Sequence, residues 1–203
     1  EKASGLKGTP FHQNVHKNAD AKAAIGRAAA GLCMPGESVI IDGGSTTVQM
    51  CEHLAPLKLQ VLTNSLHIVT ALLPQPETRV SVPGGNIFRE QDIILSPFPD
   101  DGMSGYRATK IFTGAASIGA YGLMQTDILI AQAELRLLAR ADQLVVLADS
   151  SKFAAPAGHV VCALDEIDIL VTDEGLSDAT AQLIERSGVE LVVAAATKKK
   201  SAA

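Results

Sequence analysis

Apolar residues recur along the chain in short blocks whose spacing alternates between helical and extended. Between residues 19 and 32, Ala23, Ile25, Ala28, Ala29 and Leu32 fall mostly at helical intervals. Met34-Pro35-Gly36 ends the run, which predicts an amphipathic helix. A continuous block over 38–42 predicts a strand, and 46–57 a helix that follows almost at once. The alternation repeats: strand 59–63, helix 66–73 closed by Pro74, and strand 79–82 before Pro83-Gly84-Gly85. It resumes with strand 111–116, helix 128–141, strands 144–148 and 169–172, helix 179–187 and strand 190–194. Strand bodies built from unbroken Val, Ile and Leu belong in a sheet buried on both faces. The expected fold class is therefore α/β, a mainly parallel sheet with helices on both faces. The rhythm breaks between 86 and 106, where Gly, Pro and the acidic pair Asp100-Asp101 surround one short apolar block, Ile93-Ile94-Leu95. That stretch reads as a long loop or hairpin-like excursion, and as a candidate binding lid.

In parallel sheets ligands collect at the C-terminal ends of the strands, and here those ends are polar. The first strand runs into Asp42-Gly43-Gly44-Ser45-Thr46-Thr47. Glycines allow close approach of the backbone, a helix start leaves N–H groups free, and hydroxyls add donors, so this loop suits a phosphate or another oxyanion. Later strands end in Thr63-Asn64-Ser65, Gly84-Gly85, Asp149-Ser150-Ser151-Lys152 and Thr172-Asp173. Each has a plainer reading. Gly84-Gly85 makes an ordinary turn, Asn64-Ser65 a helix cap, Asp173 a cap or turn, and Asp42 a brace for its own turn. Lys152 brings an ammonium toward a loop that favours an anion. Glu134, on the helix 128–141, suits a sugar hydroxyl or a proton transfer, and equally a solvated helix face.

Composition narrows the field. At 203 residues the chain suits one domain, and no apolar run reaches the roughly 18 residues of a membrane span. No basic segment followed by an apolar one opens the chain, so nothing suggests secretion. A net charge of -5 argues against direct nucleic-acid binding. The basic run Lys198-Lys199-Lys200 reads as part of a solvated, disordered tail over 196–203. Two Tyr, five Phe and no Trp are too few for base stacking. Cys33, Cys51 and Cys162 lack metal-ligand spacing and read as reduced thiols of a cytoplasmic protein, Cys33 and Cys51 packing as small hydrophobes. His12 and His16 stand four apart with no third ligand nearby in sequence, so no metal and no cofactor are expected. The chain begins at Glu1 rather than Met, as expected of a piece of a longer protein.

Taken in order, residues 42–47, Thr63-Asn64-Ser65, Gly84-Gly85, Lys110-Ile111-Phe112-Thr113-Gly114-Ala115, Asp149-Ser150-Ser151-Lys152-Phe153 and Thr172-Asp173 resemble the effector-binding domain of DeoR-family transcriptional regulators. The likeness runs from about residue 11 to 193. It implies a fold shared with ribose-5-phosphate isomerase and glucosamine-6-phosphate deaminase. It also implies a linker over 1–18, an effector-binding domain over 19–195, and operator DNA read by an absent N-terminal winged helix-turn-helix. Those isomerases carry a Gly-Ala-Asp-Glu segment where this chain has Gly114-Ala115-Ala116-Ser117. Loss of both acids favours a binder over the alternative, a sugar-phosphate isomerase or deaminase. The segments 122–127, Ala133-Glu134 and 144–152 look most like repressors of ascorbate-utilisation operons, whose effector is L-ascorbate 6-phosphate. The implied site for a phosphorylated sugar or sugar acid comprises Asp42, Gly43, Gly44, Ser45, Thr46, Thr47, Asn64, Gly84, Gly85, Lys110, Glu134 and Lys152. A homo-oligomer is expected, since such regulators read repeated half-sites.

Overall fold

The computed structural model describes residues 10–154 and 158–195. A short helix α1 (Phe11–Asn14) precedes α2 (Ala19–Ala30) and strand β1 (Ser38–Ile41). After β1 come two 3-10 helices, Thr47–His53 and Ala55–Leu57, then β2 (Gln60–Leu62), α3 (Leu66–Leu72) and β3 (Arg79–Ser81). The 86–106 excursion contains a hairpin, β4 (Asn86–Phe88) with β5 (Ile93–Leu95). Next are β6 (Ala108–Thr113), β7 (Ser117–Gly119), β8 (Gly122–Gln125), α4 (Ile128–Leu138) and β9 (Ala141–Leu147). A 3-10 turn at Ser150–Phe153, β10 (His159–Cys162), β11 (Ile169–Asp173), α5 (Asp178–Arg186) and β12 (Glu190–Ala194) complete the described chain.

Seven strands form one parallel sheet in the order β12-β11-β9-β6-β1-β2-β3. The chain builds outward from β1 to β3, then crosses back to add β6 on the other side of β1. This places a topological switch point between β1 and β6, where such sheets open a crevice. Side chains alternate across the sheet: Val39, Ile41 and Phe112 enter one core with α2 and α3, while Ile40, Ile111 and Val146 enter the other with α4. The α/β class and its mainly parallel sheet are thus as the apolar blocks implied.

Several details differ. The element after the anion loop is two 3-10 segments rather than one helix over 46–57. Close approach to α2 explains part of this, because a Cβ on Gly26 would lie 2.5 Å from Gln49 Cβ and 2.6 Å from the Gln49 carbonyl carbon. Strands β7, β8 and β10 form a separate antiparallel sheet that the apolar blocks did not reveal. Within the expected linker or N-terminal segment, residues 10–18 pack on the domain: Phe11 is buried, and Asn18 Nδ2 donates to Asp149 Oδ1 at 2.9 Å. The expected linker at 1–9 and tail at 196–203 lie outside the described residues. All three cysteines are buried and unpaired, and burial pushes the thiols of Cys33 and Cys51 up to about 12 and that of Cys162 to about 11. Among the described residues no helix is long and apolar enough to cross a membrane.

Gly26→Ala tests the α2 contact. Alanine favours the helix by about 1 kcal/mol, but overpacking against backbone costs about 1–3 kcal/mol. Urea denaturation should show net destabilisation; a variant more stable than the parent would mean that the contact yields freely.

Candidate functional site

A cleft of about 200 Å³ opens at the switch point. Gly43, Gly44, Ser45 and Thr46 form one wall, Gly114, Ala115 and Ala116 after β6 another, and Ile130, Glu134 and Lys152 face them. Asn14, Gln91, Ile93, Gln125 and Thr126 close the sides.

Asp42 fixes the loop. It is buried, and its Oδ1 accepts from Asn64 Nδ2 at 2.7 Å while Oδ2 accepts from Thr113 Oγ1 at 2.9 Å. Its backbone carbonyl accepts from Thr47 Oγ1 at 2.7 Å, and Asn64 Oδ1 accepts from the Gly43 amide at 2.9 Å. The turn is therefore braced from β2, β6 and its own downstream residue. Among the described residues, the Gly44, Ser45 and Thr46 amides donate to no protein group. Gly43 must be glycine, since a Cβ there would sit 2.4 Å from Ile93 Cγ2.

Glu134 is also buried. Its Oε1 accepts from Gln125 Nε2 at 2.6 Å, and its Oε2 has no hydrogen-bond partner. Burial, reinforced by the adjacent Asp42 carboxylate, raises its pKa well above the usual range. Burial raises Asp42 too, against the opposing hydrogen bonds of Asn64 and Thr113. Burial and the neighbouring carboxylate thus both favour the protonated form of Glu134. A solvated helix-face glutamate it is not.

The remaining residues sort clearly. Lys152 lines the cleft and forms no ion pair with a described residue. Thr47 and Asn64 are buried braces rather than parts of the cleft wall. Gly84 and Gly85 stand away from it: the Gly84 amide donates to Asp101 O at 2.8 Å, and a Cβ on Gly85 would meet Leu95 O at 2.4 Å. They seat the excursion against the sheet. Lys110 is also elsewhere, because it pairs with Val39 early in β1 and its Nζ donates to Glu37 Oε1 at 2.6 Å at the opposite sheet edge. Ser65 caps α3, its Oγ accepting from Ile68 N at 3.3 Å, and Asp173 turns the chain by accepting from Gly175 N at 3.0 Å.

The excursion, a candidate lid by sequence, is tied to the body of the domain at two points. Arg140 grips Asp101 with two bonds of 2.9 and 2.8 Å, and Ile94 N donates to Asn64 O at 2.7 Å. Lys22, by contrast, escaped notice in the sequence. It is buried, donates to Asn14 O beside the cleft, and is pushed down to about 8 by burial; Asp149 opposes that shift and Lys152 adds to it. Its signal was position: Lys22, Ile25 and Ala29 share one helical stripe.

Comparison with known proteins places this architecture. Ribose 5-phosphate isomerase A from Methanocaldococcus jannaschii superposes with a TM-score of 0.50 at 18% identity, over 68% of this chain and 56% of that one. The eIF2B-beta2-delta2 complex from C. thermophilum gives 0.50 at 16% identity, over 74% of this chain and 46% of that one. The chain thus spans about half the length of the solved chains it matches, and at these identities the likeness concerns the fold: an α/β domain of the isomerase type. Residues 17–174 match the model of the DeoR C-terminal sensor domain, and the chain belongs to that family. It is similar to the HTH-type transcriptional regulator UlaR of Shigella dysenteriae serotype 1, at 36% identity over 91% of this chain and 73% of that protein. The UlaR of Escherichia coli O1:K1 is 35% identical over the same shares. The chain is the effector-sensing domain of a DeoR-type transcriptional regulator.

The paired acids make a pH prediction. The folded state holds Glu134 protonated above the pH at which the unfolded chain loses that proton. Stability from this group is therefore fully present below about pH 4.3 and declines as pH rises toward the raised folded pKa. Glu134→Gln, which keeps the shape without the charge, should be more stable than the parent at pH 7–8 and flatten this dependence in urea titrations. Equal pH profiles for the two proteins would refute the protonated Glu134.

Proposed function

We propose that the cleft binds a phosphorylated sugar or sugar acid and reports it to a DNA-binding unit. The observation that carries this reading is the set of unpaired Gly44, Ser45 and Thr46 amides sharing a cleft with Lys152. Fixed N–H donors and one ammonium favour a phosphate. Gln125, Thr126 and the protonated Glu134 then face the polyol. L-ascorbate 6-phosphate, implied by the family resemblance, is the first candidate effector, and a homo-oligomer acting in the cytoplasm is the expected form.

Sensing rather than turnover is supported by the wall after β6. Gly114, Ala115 and Ala116 present backbone and methyl groups where an isomerase needs positioned acids and bases. Asp42 is engaged on both oxygens, which leaves Glu134 without a second free carboxylate in the cleft.

Isothermal titration with a panel of sugar phosphates, L-ascorbate 6-phosphate included, should give saturable binding to phosphorylated compounds and none to their unphosphorylated forms. Lys152→Ala should weaken it about tenfold to a hundredfold, the worth of a charge-assisted hydrogen bond, and adding Thr46→Ala should weaken it further. Unchanged affinity in the double variant would refute the site. Incubation with ribose 5-phosphate or glucosamine 6-phosphate should show no turnover; turnover abolished by Glu134→Ala would establish an enzyme instead.

A further inference from the structure

Beside the cleft, three side chains from three separate elements converge on one point. His12 lies in α1, His67 in α3, and Asp92 at the tip of the β4–β5 hairpin. His67 Nε2 stands 2.9 Å from Asp92 Oδ2, and His12 Nε2 stands 3.3 Å from the same oxygen. All three potential ligand atoms lie within 4.8 Å of one another.

The surroundings hold this arrangement in place. The Phe11 ring stacks on His67 at 3.8 Å and 11°, fixing the imidazole plane. The His12 ring meets His67 nearly edge-on, at 86°. Leu66 N donates to Asp92 O at 3.0 Å, and Phe11 N donates to Glu90 O at 3.2 Å, so the backbones carrying the three residues are mutually tied. Asp92 itself adopts φ +51°, a left-handed conformation that aspartate accepts more readily than most non-glycine residues.

We infer that His12, His67 and Asp92 form a site for a zinc-class divalent ion, distinct from the anion cleft. Two imidazole nitrogens and one carboxylate oxygen suit zinc, cobalt or nickel rather than magnesium or calcium, which take oxygen sets. Tetrahedral zinc with bonds of about 2.0–2.1 Å sets its donors about 3.3 Å apart, close to the spacings at Asp92. His12 is 74% exposed on its side chain, which leaves the open side of the site to solvent for a fourth, water ligand. Sequence spacing concealed the site, since His12, His67 and Asp92 meet only through the fold.

The ion has a mechanical consequence. Gln91 and Ile93 flank Asp92 and line the anion cleft, as does Asn14 from the helix that carries His12. A metal at this point clamps two cleft walls together from behind.

The test is zinc titration of the chelator-treated, full 203-residue chain by calorimetry in phosphate-free buffer. One ion per chain is expected, with no comparable binding of magnesium. His12→Ala and His67→Ala should each weaken zinc on the order of tenfold or more, while His16→Ala should leave it unchanged. His12 is exposed, so its variant keeps the fold and reports the ligand directly. In NMR, zinc should shift the imidazole resonances of His12 and His67 and spare those of His53 and His159. The inference is overturned by absence of saturable zinc binding, by equal affinity for magnesium, or by unaltered zinc affinity in the His12→Ala/His67→Ala double variant.

Discussion

The mouth of the sheet depends on one buried carboxylate. Asp42 ends β1, the strand flanked by β2 and β6, and a charge in that position is costly unless every lone pair is met. Asn64 answers from the end of β2 and Thr113 from the end of β6. Asn64 then returns to the Gly43 amide, which closes a ring of hydrogen bonds around the turn. Three adjacent strand ends are thereby stapled at one level. Gly44, Ser45 and Thr46 line the cleft on a turn that this ring holds. Glu134 lies near the same carboxylate, which adds to the upward shift that its burial causes.

This division of labour explains what the sequence could and could not tell. Strand bodies were readable because burial on both faces demands unbroken apolar blocks, and β1, β9 and β11 satisfy that demand without exception in their centres. The polar strand ends were readable for the same reason in reverse. Role was harder to assign than place. Asn64 reads as a cap or a ligand contact and turns out to be a brace, because its partner Asp42 is 22 residues away. Lys110 joined the expected site through resemblance alone, but its register beside Val39 puts it early in the strand, at the far edge. Strands β7, β8 and β10 escaped because each is only three or four residues long, too short for a period to show, and β10 pairs with β8 from far along the chain. Lys22 escaped because charge masks position: a lysine on an apolar stripe looks like a surface residue until its neighbours are known.

The fold is shared with ribose 5-phosphate isomerase A, so what this cleft can do chemically depends on the residues around Glu134. An acid–base catalyst needs a group that exchanges protons near neutral pH with a second group placed across the substrate. Here the wall opposite is Gly114-Ala115-Ala116, whose backbone is drawn into the small antiparallel sheet, Ala116 N donating to Met124 O at 3.2 Å. That wall offers shape and backbone polarity, not proton transfer. A protonated Glu134 can still donate one hydrogen bond to a hydroxyl, which is a recognition role that needs no release of the proton.

A sensor must also convert occupancy into a change of shape, and a ligand does that only through unequal affinity for two arrangements. The rigid parts of this cleft are poor candidates for the moving element. The 42–47 turn is stapled, and the excursion is held by Arg140 and Asp101. Residues 10–18 reach the cleft through Asn14 and are joined to the domain by contacts from several elements: buried Lys22 to Asn14 O, Asn18 to Asp149 Oδ1 and Ser151 Oγ, Phe11 N to Glu90 O, and Phe11 against His67. A ligand bridging Lys152 and Asn14 would draw this segment inward while leaving the sheet unmoved.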